Sequence, residues 1–160
     1  MLADCPTAKL ALIEPDGAVR VAAEDLRFPN GTMITPDGRT LIIGETFGMQ
    51  LTAFDIGADG GLSNRRIWAG VGPRVPDGAG LDAEGCVWMA NPAAPECARI
   101  AQGGEVREVI ATELPCYACM LGGEDGRTLF MFTSTPSETG GKPRGQIEVV
   151  TVEAAHAGRP

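Results

Sequence analysis

One pattern recurs three times along this 160-residue chain, and it decides what the chain can fold into. Pro29-Asn30-Gly31 is followed, seven residues after Asn30, by Asp37-Gly38-Arg39-Thr40 and the apolar run Leu41-Ile42-Ile43. Pro76-Asp77-Gly78 leads at the same interval to Glu84-Gly85-Cys86 and Val87-Trp88. Tyr117-Ala118-Cys119 leads, seven residues after Ala118, to Asp125-Gly126-Arg127 and Leu129-Phe130. The steps between repeats are 47 residues, from Asn30 to Asp77, and 41, from Asp77 to Ala118. Units of roughly 40–50 residues match the four-stranded blade of a β-propeller, which buries its faces only against neighbouring blades.

Each repeat reads as strand, acidic-Gly turn, strand, because glycine accepts the positive φ that a tight hairpin requires. The paired runs are Thr32 to Thr35 with Thr40 to Ile43, Ala79 to Asp82 with Val87 to Ala90, and Ala118 to Leu121 with Thr128 to Phe132. Two further strands complete the first two repeats, near Leu51 to Asp55 and Arg66 to Ala69, then near Ala98 to Ile100 and Glu105 to Ile110. The expected organisation is all-β: outer strands of one blade in residues 1–28, full blades in 29–75 and 76–114, a partial last blade in 115–153 and a tail in 154–160. The 22 glycines and 12 prolines agree, since they leave little room for long helices. A closed ring needs at least four blades, and about three blades' worth of chain does not close. The expectation is therefore a fragment of a longer protein, a half completed by a second copy, or a chain whose open blade edges take up a partner. Met1 falling in mid-blade favours a truncated chain.

Charge and cysteine usage narrow the partners. With 21 acidic against 13 basic residues, the chain has no electrostatic reason to seek nucleic acid or an anionic membrane. No stretch approaches the roughly 18 apolar residues of a membrane helix. Five cysteines, an odd number without a secretory leader, point to a reducing, cytoplasmic setting. Leu2-Ala3-Asp4-Cys5 lacks the segments that precede a lipoprotein box, and Asn30-Gly31-Thr32 matches a glycosylation acceptor only formally.

Taken as an ordered set, these motifs resemble the SMP-30/gluconolactonase/LRE-like family. Phe28-Pro29-Asn30-Gly31, Thr35-Pro36-Asp37-Gly38-Arg39-Thr40-Leu41, Asp59-Gly60-Gly61-Leu62-Ser63-Asn64-Arg65-Arg66, Pro76-Asp77-Gly78 and Leu81-Asp82-Ala83-Glu84-Gly85 carry the resemblance. Cys119-Met120-Leu121-Gly122-Gly123, Thr128-Leu129-Phe130 and the closing Gly158-Arg159-Pro160 extend it over nearly the whole chain. The resemblance implies a six-bladed propeller, of which this chain is the C-terminal half, with a divalent metal on its axis and hydrolysis of sugar lactones and related esters. It implies that Asn30 and Asp77 are metal ligands and that Asp77 is also the general base. It further implies that a ligating glutamate and most substrate-reading groups belong to blades preceding Met1.

The residues make part of this case alone. Asn30 and Asp77 hold the same repeat position on successive innermost strands, where equivalent positions converge on one end of the central channel. Amide and carboxylate oxygens suit a hard cation, with Ca²⁺ first, Mg²⁺ and Mn²⁺ next, and Zn²⁺ still open. Ala118, the third equivalent on this spacing, ligates nothing, and Tyr117 is a candidate for lining the substrate mouth. Asn and Asp beside Pro and Gly are also ordinary turn chemistry, so a purely structural role stays open. In that different-class reading the chain is a non-catalytic interaction module.

Other candidates lack partners. His156, the one histidine, stands near the C-terminus and reads as tail, leaving no imidazole for a nucleophilic triad. Cys116 and Cys119 run into a strand rather than opening a helix, and read as buried small hydrophobes. Asp55 to Gly60 starts like a calcium loop, but Arg66 stands where the last ligand belongs. Thr139-Gly140-Gly141-Lys142 lacks the first glycine of a phosphate loop. Glu45, Asp82 and Asn91 lie at strand ends, where satisfying backbone groups is the simpler role, and Trp68, Trp88 and Phe130 are expected as core between blades.

Overall fold

The structure, a computed structural model, describes residues 5–136, 142 and 144–158. Residues Leu2 to Asp4, Thr139 to Gly141 and Arg159-Pro160, which enter the sequence reading above, lie outside the described residues. Among the described residues, thirteen strands form four antiparallel sheets. β1 (Ala8–Ile13) and β2 (Val19–Leu26) make a two-stranded sheet. The next sheet orders β3 (Pro29–Ile34), β4 (Thr40–Glu45), β5 (Gln50–Ile56) and β6 (Leu62–Gly70). The third orders β7 (Ala79–Leu81), β8 (Val87–Asn91), β9 (Glu96–Ile100) and β10 (Val106–Ala111). The last holds β11 (Cys116–Gly122), β12 (Thr128–Ser134) and β13 (Gly145–Thr151). The second, third and fourth sheets are meanders whose first strands touch in succession: β3 meets β7, and β7 meets β11. The chain is a partial β-propeller with β3, β7 and β11 innermost. Its only helical element among the described residues is a 3-10 turn, Thr46–Gly48, and no described helix is long and apolar enough to cross a membrane.

Strand period 2 explains how the blades bind one another. Along β4, Ile42 joins the core shared with the third sheet, while Leu41 and Ile43 join the core shared with β1 and β2. Along β8, Val87 and Met89 face the second sheet and Trp88 and Ala90 face the fourth. Strands buried on both faces read as unbroken apolar runs, which is what Leu41-Ile42-Ile43 and Val87-Trp88-Met89-Ala90 are. The hairpin glycines Gly38, Gly85 and Gly126 take φ of +70°, +77° and +74°, as the acidic-Gly turns require.

Two expectations change. Among the described residues no further blade packs on Phe130, so it is not covered as core here. It lies part-buried opposite Val149 on the outer face of the last sheet, because Leu129 and Met131 already occupy the inward register. The segment after β13 is not a loose tail: Ala155 accepts from Ala83, His156 donates to Gly126, and Ala157 donates to Leu81. These backbone bonds clasp the hairpin turns of the third and fourth sheets at the channel end remote from Asn30 and Asp77.

Candidate functional site

The polar positions of interest open the innermost strands, where neighbouring blades come into backbone contact. Gly31 donates its N–H to the carbonyl of Asp77 at 3.1 Å, and one blade further on Gly78 donates to the carbonyl of Tyr117 at 3.0 Å. The same bond repeated across successive boundaries makes Asn30, Asp77 and Tyr117 equivalent positions. Sequence spacing instead makes Ala118 the third equivalent, and the structure corrects it by one residue. β11 is irregular between Cys116 and Ala118 and carries one more residue before its hairpin turn than β7 does, so the shared seven-residue interval misaligns it.

Glycine is required after Asn30 and Asp77 by proximity, not by φ. A Cβ on Gly31 would stand 2.5 Å from the Asp77 carbonyl oxygen and 2.6 Å from Ala79 N. One on Gly78 would stand 2.8 Å from both Cα and Cβ of Ala118. The Asn-Gly and Asp-Gly pairs are thus the points at which adjacent inner strands close on each other.

Asn30 and Asp77 are part-buried. Burial pushes the Asp77 carboxyl above its ordinary value. The Asn30 side chain and the Gly78 N–H pull it down without cancelling that rise, and no cationic side chain is among the groups acting on it. The Thr32 hydroxyl donates to the Asn30 carbonyl at 2.9 Å, steadying the turn into β3. Tyr117, also part-buried, meets Gly78 through its backbone.

The remaining strand-end polar residues serve the fold. Glu45, 1% exposed, accepts from the Arg27 N–H at 2.6 Å, the Thr52 hydroxyl at 2.6 Å and Arg65 at 3.0 Å. Asp82 accepts from Glu84 N and Cys86 N and pairs with Arg99 at 2.6 Å. Asn91 accepts from Val75 N and Ala93 N. Asp55 pairs with Arg66 and Asn64 across the β5–β6 hairpin, as a turn residue would. Cys97, Cys116 and Cys119 pack together in the core beside Trp88, where hydrogen bonding to Cys116 and Cys119 and burial push the Cys97 thiol well above its usual range. Sequence reading passed over Thr46. The available signal is a polar residue directly after the buried run Leu41–Glu45, where a further apolar side chain would be the default.

Among the described residues, no three His, Cys, Asp or Glu side chains group into a metal site. Asn30 and Asp77 nevertheless carry donor types of a hard-cation shell: an amide beside a desolvated carboxylate on which no basic side chain acts.

The sequence pattern of the SMP-30/gluconolactonase/LRE-like region matches residues 3–135. The chain belongs to this family. It is 30% identical over 132 residues to a 6-deoxy-6-sulfogluconolactonase of Pseudomonas putida, covering 79% of this chain and 45% of that protein. A luciferin-regenerating enzyme superposes with a TM-score of 0.82 at 17% identity, over 92% of this chain and 53% of its own. A gluconolactonase from Xanthomonas campestris superposes with a TM-score of 0.68 at 27% identity, over 92% of this chain and 46% of its own. The chain spans about half the length of each of these proteins.

Proposed function

We propose that this chain carries the proton-transfer half of a lactonase site, with Asp77 as general base and Asn30 beside it, acting on a sugar lactone or a related cyclic ester. The observation behind this reading is the Asp77 carboxyl, raised by burial, beside the Asn30 amide and with no cation acting on it. A carboxylate whose proton affinity is raised toward neutrality is a better base for water than an exposed one. Asp77 takes a proton from a water attacking the lactone carbonyl and returns it to the ring oxygen as the C–O bond breaks, leaving the open hydroxy acid. Asn30 orients the carboxylate, and Tyr117, at the equivalent position of the next blade, lines the mouth. Asn30 and Asp77 would hold a divalent cation, Ca²⁺ best suited to their oxygens, with Mg²⁺, Mn²⁺ and Zn²⁺ as alternatives. When bound, such an ion supplies Lewis acidity toward the carbonyl. The names of the Pseudomonas putida and Xanthomonas campestris relatives support a lactone as substrate.

The experiment is calorimetric titration of Ca²⁺, Mn²⁺ and Zn²⁺ with Asp77→Ala as control, followed by gluconolactone hydrolysis. Saturable binding lost in the variant is expected; binding that survives Asp77→Ala refutes the ligand role.

A second reading, a non-catalytic interaction module, rests on the two open faces. Phe132, Ile147 and Val149 are 41%, 61% and 60% exposed on the last sheet, and Ile13, Val19 and Val21 are 71%, 67% and 49% exposed on the first. Faces of this composition are those on which further blades or a second copy pack. Mass in solution separates a lone chain from an assembly.

A further inference from the structure

Two consecutive residues that the proposed reaction leaves unused reach toward both site strands. The Glu45 carboxylate binds the Arg27 N–H at 2.6 Å, and the Thr46 N–H binds the Phe28 carbonyl at 3.0 Å, fixing the connection that runs through Pro29 into Asn30. Phe28 is held there at φ +57°, a conformation a bulky residue keeps only where its surroundings enforce it, and its ring packs on Phe47 at 4.7 Å. In the other direction the Thr46 hydroxyl, buried, donates to the Pro76 carbonyl at 2.7 Å, one residue before Asp77. Gly44 completes the contact, since a Cβ there would meet the Pro76 ring at 3.2 Å.

We infer that Glu45-Thr46 is a positioning pair that sets the spacing of Asn30 and Asp77 from one buried point, Glu45 through the approach to Asn30 and Thr46 through the approach to Asp77. The inference rests on the reading of Asn30 and Asp77 as the site. Neither residue of the pair touches the reacting groups. Thr46 is the sharper lever, because its hydroxyl crosses the blade boundary whereas the partners of Glu45 lie within the first two sheets.

The test uses the whole chain and two reporters that do not need turnover: hydrogen exchange of the Gly31 N–H that crosses to Asp77, and of the Asp77 N–H that reaches the Ala90 carbonyl. Thr46→Val is expected to speed exchange at both Gly31 and Asp77 by roughly tenfold or more. Thr46→Ser, which keeps the hydroxyl, is expected to behave as wild type. Thr133→Val removes another buried hydroxyl, one bonded to Glu148 in the last sheet and making no bond to the approaches through Pro29 and Pro76, and is expected to move neither reporter. Unchanged reporters in Thr46→Val, or equal changes in Thr133→Val, overturn the inference. Should Thr46→Val not fold, the wild-type chain decides: Gly31 exchanging as freely as an exposed amide, while Met33 on the same strand is protected, overturns it, and protection at both supports it. A wild-type chain that binds none of the tested cations sinks the site reading, yet leaves these two reporters to judge the positioning pair.

Discussion

Gly31→Ala tests the closest approach in the site. The added methyl would stand 2.5 Å from the Asp77 carbonyl oxygen and 2.6 Å from Ala79 N, both backbone atoms that cannot swing away as a side chain would. Ordinary contact needs about 3.5 Å, so β3 and β7 must separate by about 1 Å. That separation stretches the 3.1 Å hydrogen bond from Gly31 to Asp77 beyond usefulness. Overpacking and the lost bond together cost roughly 2–4 kcal/mol, a fall of roughly 5–15 °C in thermal midpoint for a domain of this size. The same displacement opens the gap between Asn30 and Asp77, and misplacement by about 1 Å lowers hydrolysis on the order of 10²-fold. Gly70→Ala is the matched control: nothing lies within 4 Å of its built Cβ and its φ is not positive, so its stability should stay within about 0.5 kcal/mol of wild type. Denaturant unfolding gives the stability and cation titration gives the site. If Gly31→Ala is as stable as Gly70→Ala, the inter-blade contact is looser than argued. If it loses stability but binds cation unchanged, Asn30–Asp77 spacing does not govern the site.

Further outcomes follow from burial and charge. Trp88, 1% exposed with its Nε1 lacking a partner among the described residues, contributes through packing alone, so Trp88→Ala should cost about 3–5 kcal/mol in denaturant unfolding. Trp88→Phe should cost clearly less, since no hydrogen bond is lost with the indole. For Glu45, burial raises the carboxyl, but the bonds from Arg27, Thr52 and Arg65 outweigh it and hold the group below its ordinary value. Its stabilisation is therefore present above an unfolded value of about 4.3 and is lost as pH falls through the folded one. Glu45→Gln should be less stable than wild type at neutral pH, with the gap closing in acid unfolding curves. Asp77 has the opposite sign: with its value raised by burial, its contribution is lost as pH rises, so Asp77→Asn should unfold later than wild type at neutral pH while losing hydrolysis. A destabilised Asp77→Asn would assign the carboxylate to holding the turn.

Where the sequence spoke through period and turn chemistry, it was legible. Most strands fall on the runs between acidic-Gly, Gly-Gly and Pro-containing breaks, and the middle strands β4 and β8, buried on both faces, are written as unbroken apolar runs; the break between β4 and β5, Thr46-Phe47-Gly48-Met49, carries none of these signals. The placement of Asn30 and Asp77 at the beginnings of adjacent inner strands, Asn30 within β3 and Asp77 just before β7, was legible for the same reason: equal offsets from a hairpin turn project to equal heights on the channel. Tyr117 was not readable as their equivalent, because one extra residue in β11 is invisible to spacing and shows only in which carbonyl Gly78 reaches. Nor were the clasp after β13 and the reach of Thr46 to Pro76. Each is a contact between segments about 30 residues or more apart made through backbone carbonyls, and carbonyls leave no trace in residue identity.

The arrangement also explains why function gathers at the start of the inner strands. The middle strands of each full blade are buried on both faces and admit polar groups only where a partner satisfies them, as Glu45, Thr52 and Asn91 show. The outer strands β6 and β10 are largely exposed, and water there solvates a carboxylate. At the start of β3 and before β7, the chain is close enough to its neighbour to desolvate a carboxylate, yet the glycine that follows removes the side chain that would fill the space. Replacing Asp77 by Leu would relieve the desolvation and keep the packing, so its stability should hold or rise while cation binding and hydrolysis vanish. A drop in stability with binding retained would mean that the desolvated carboxylate belongs to the fold and that the cation, if bound, sits elsewhere.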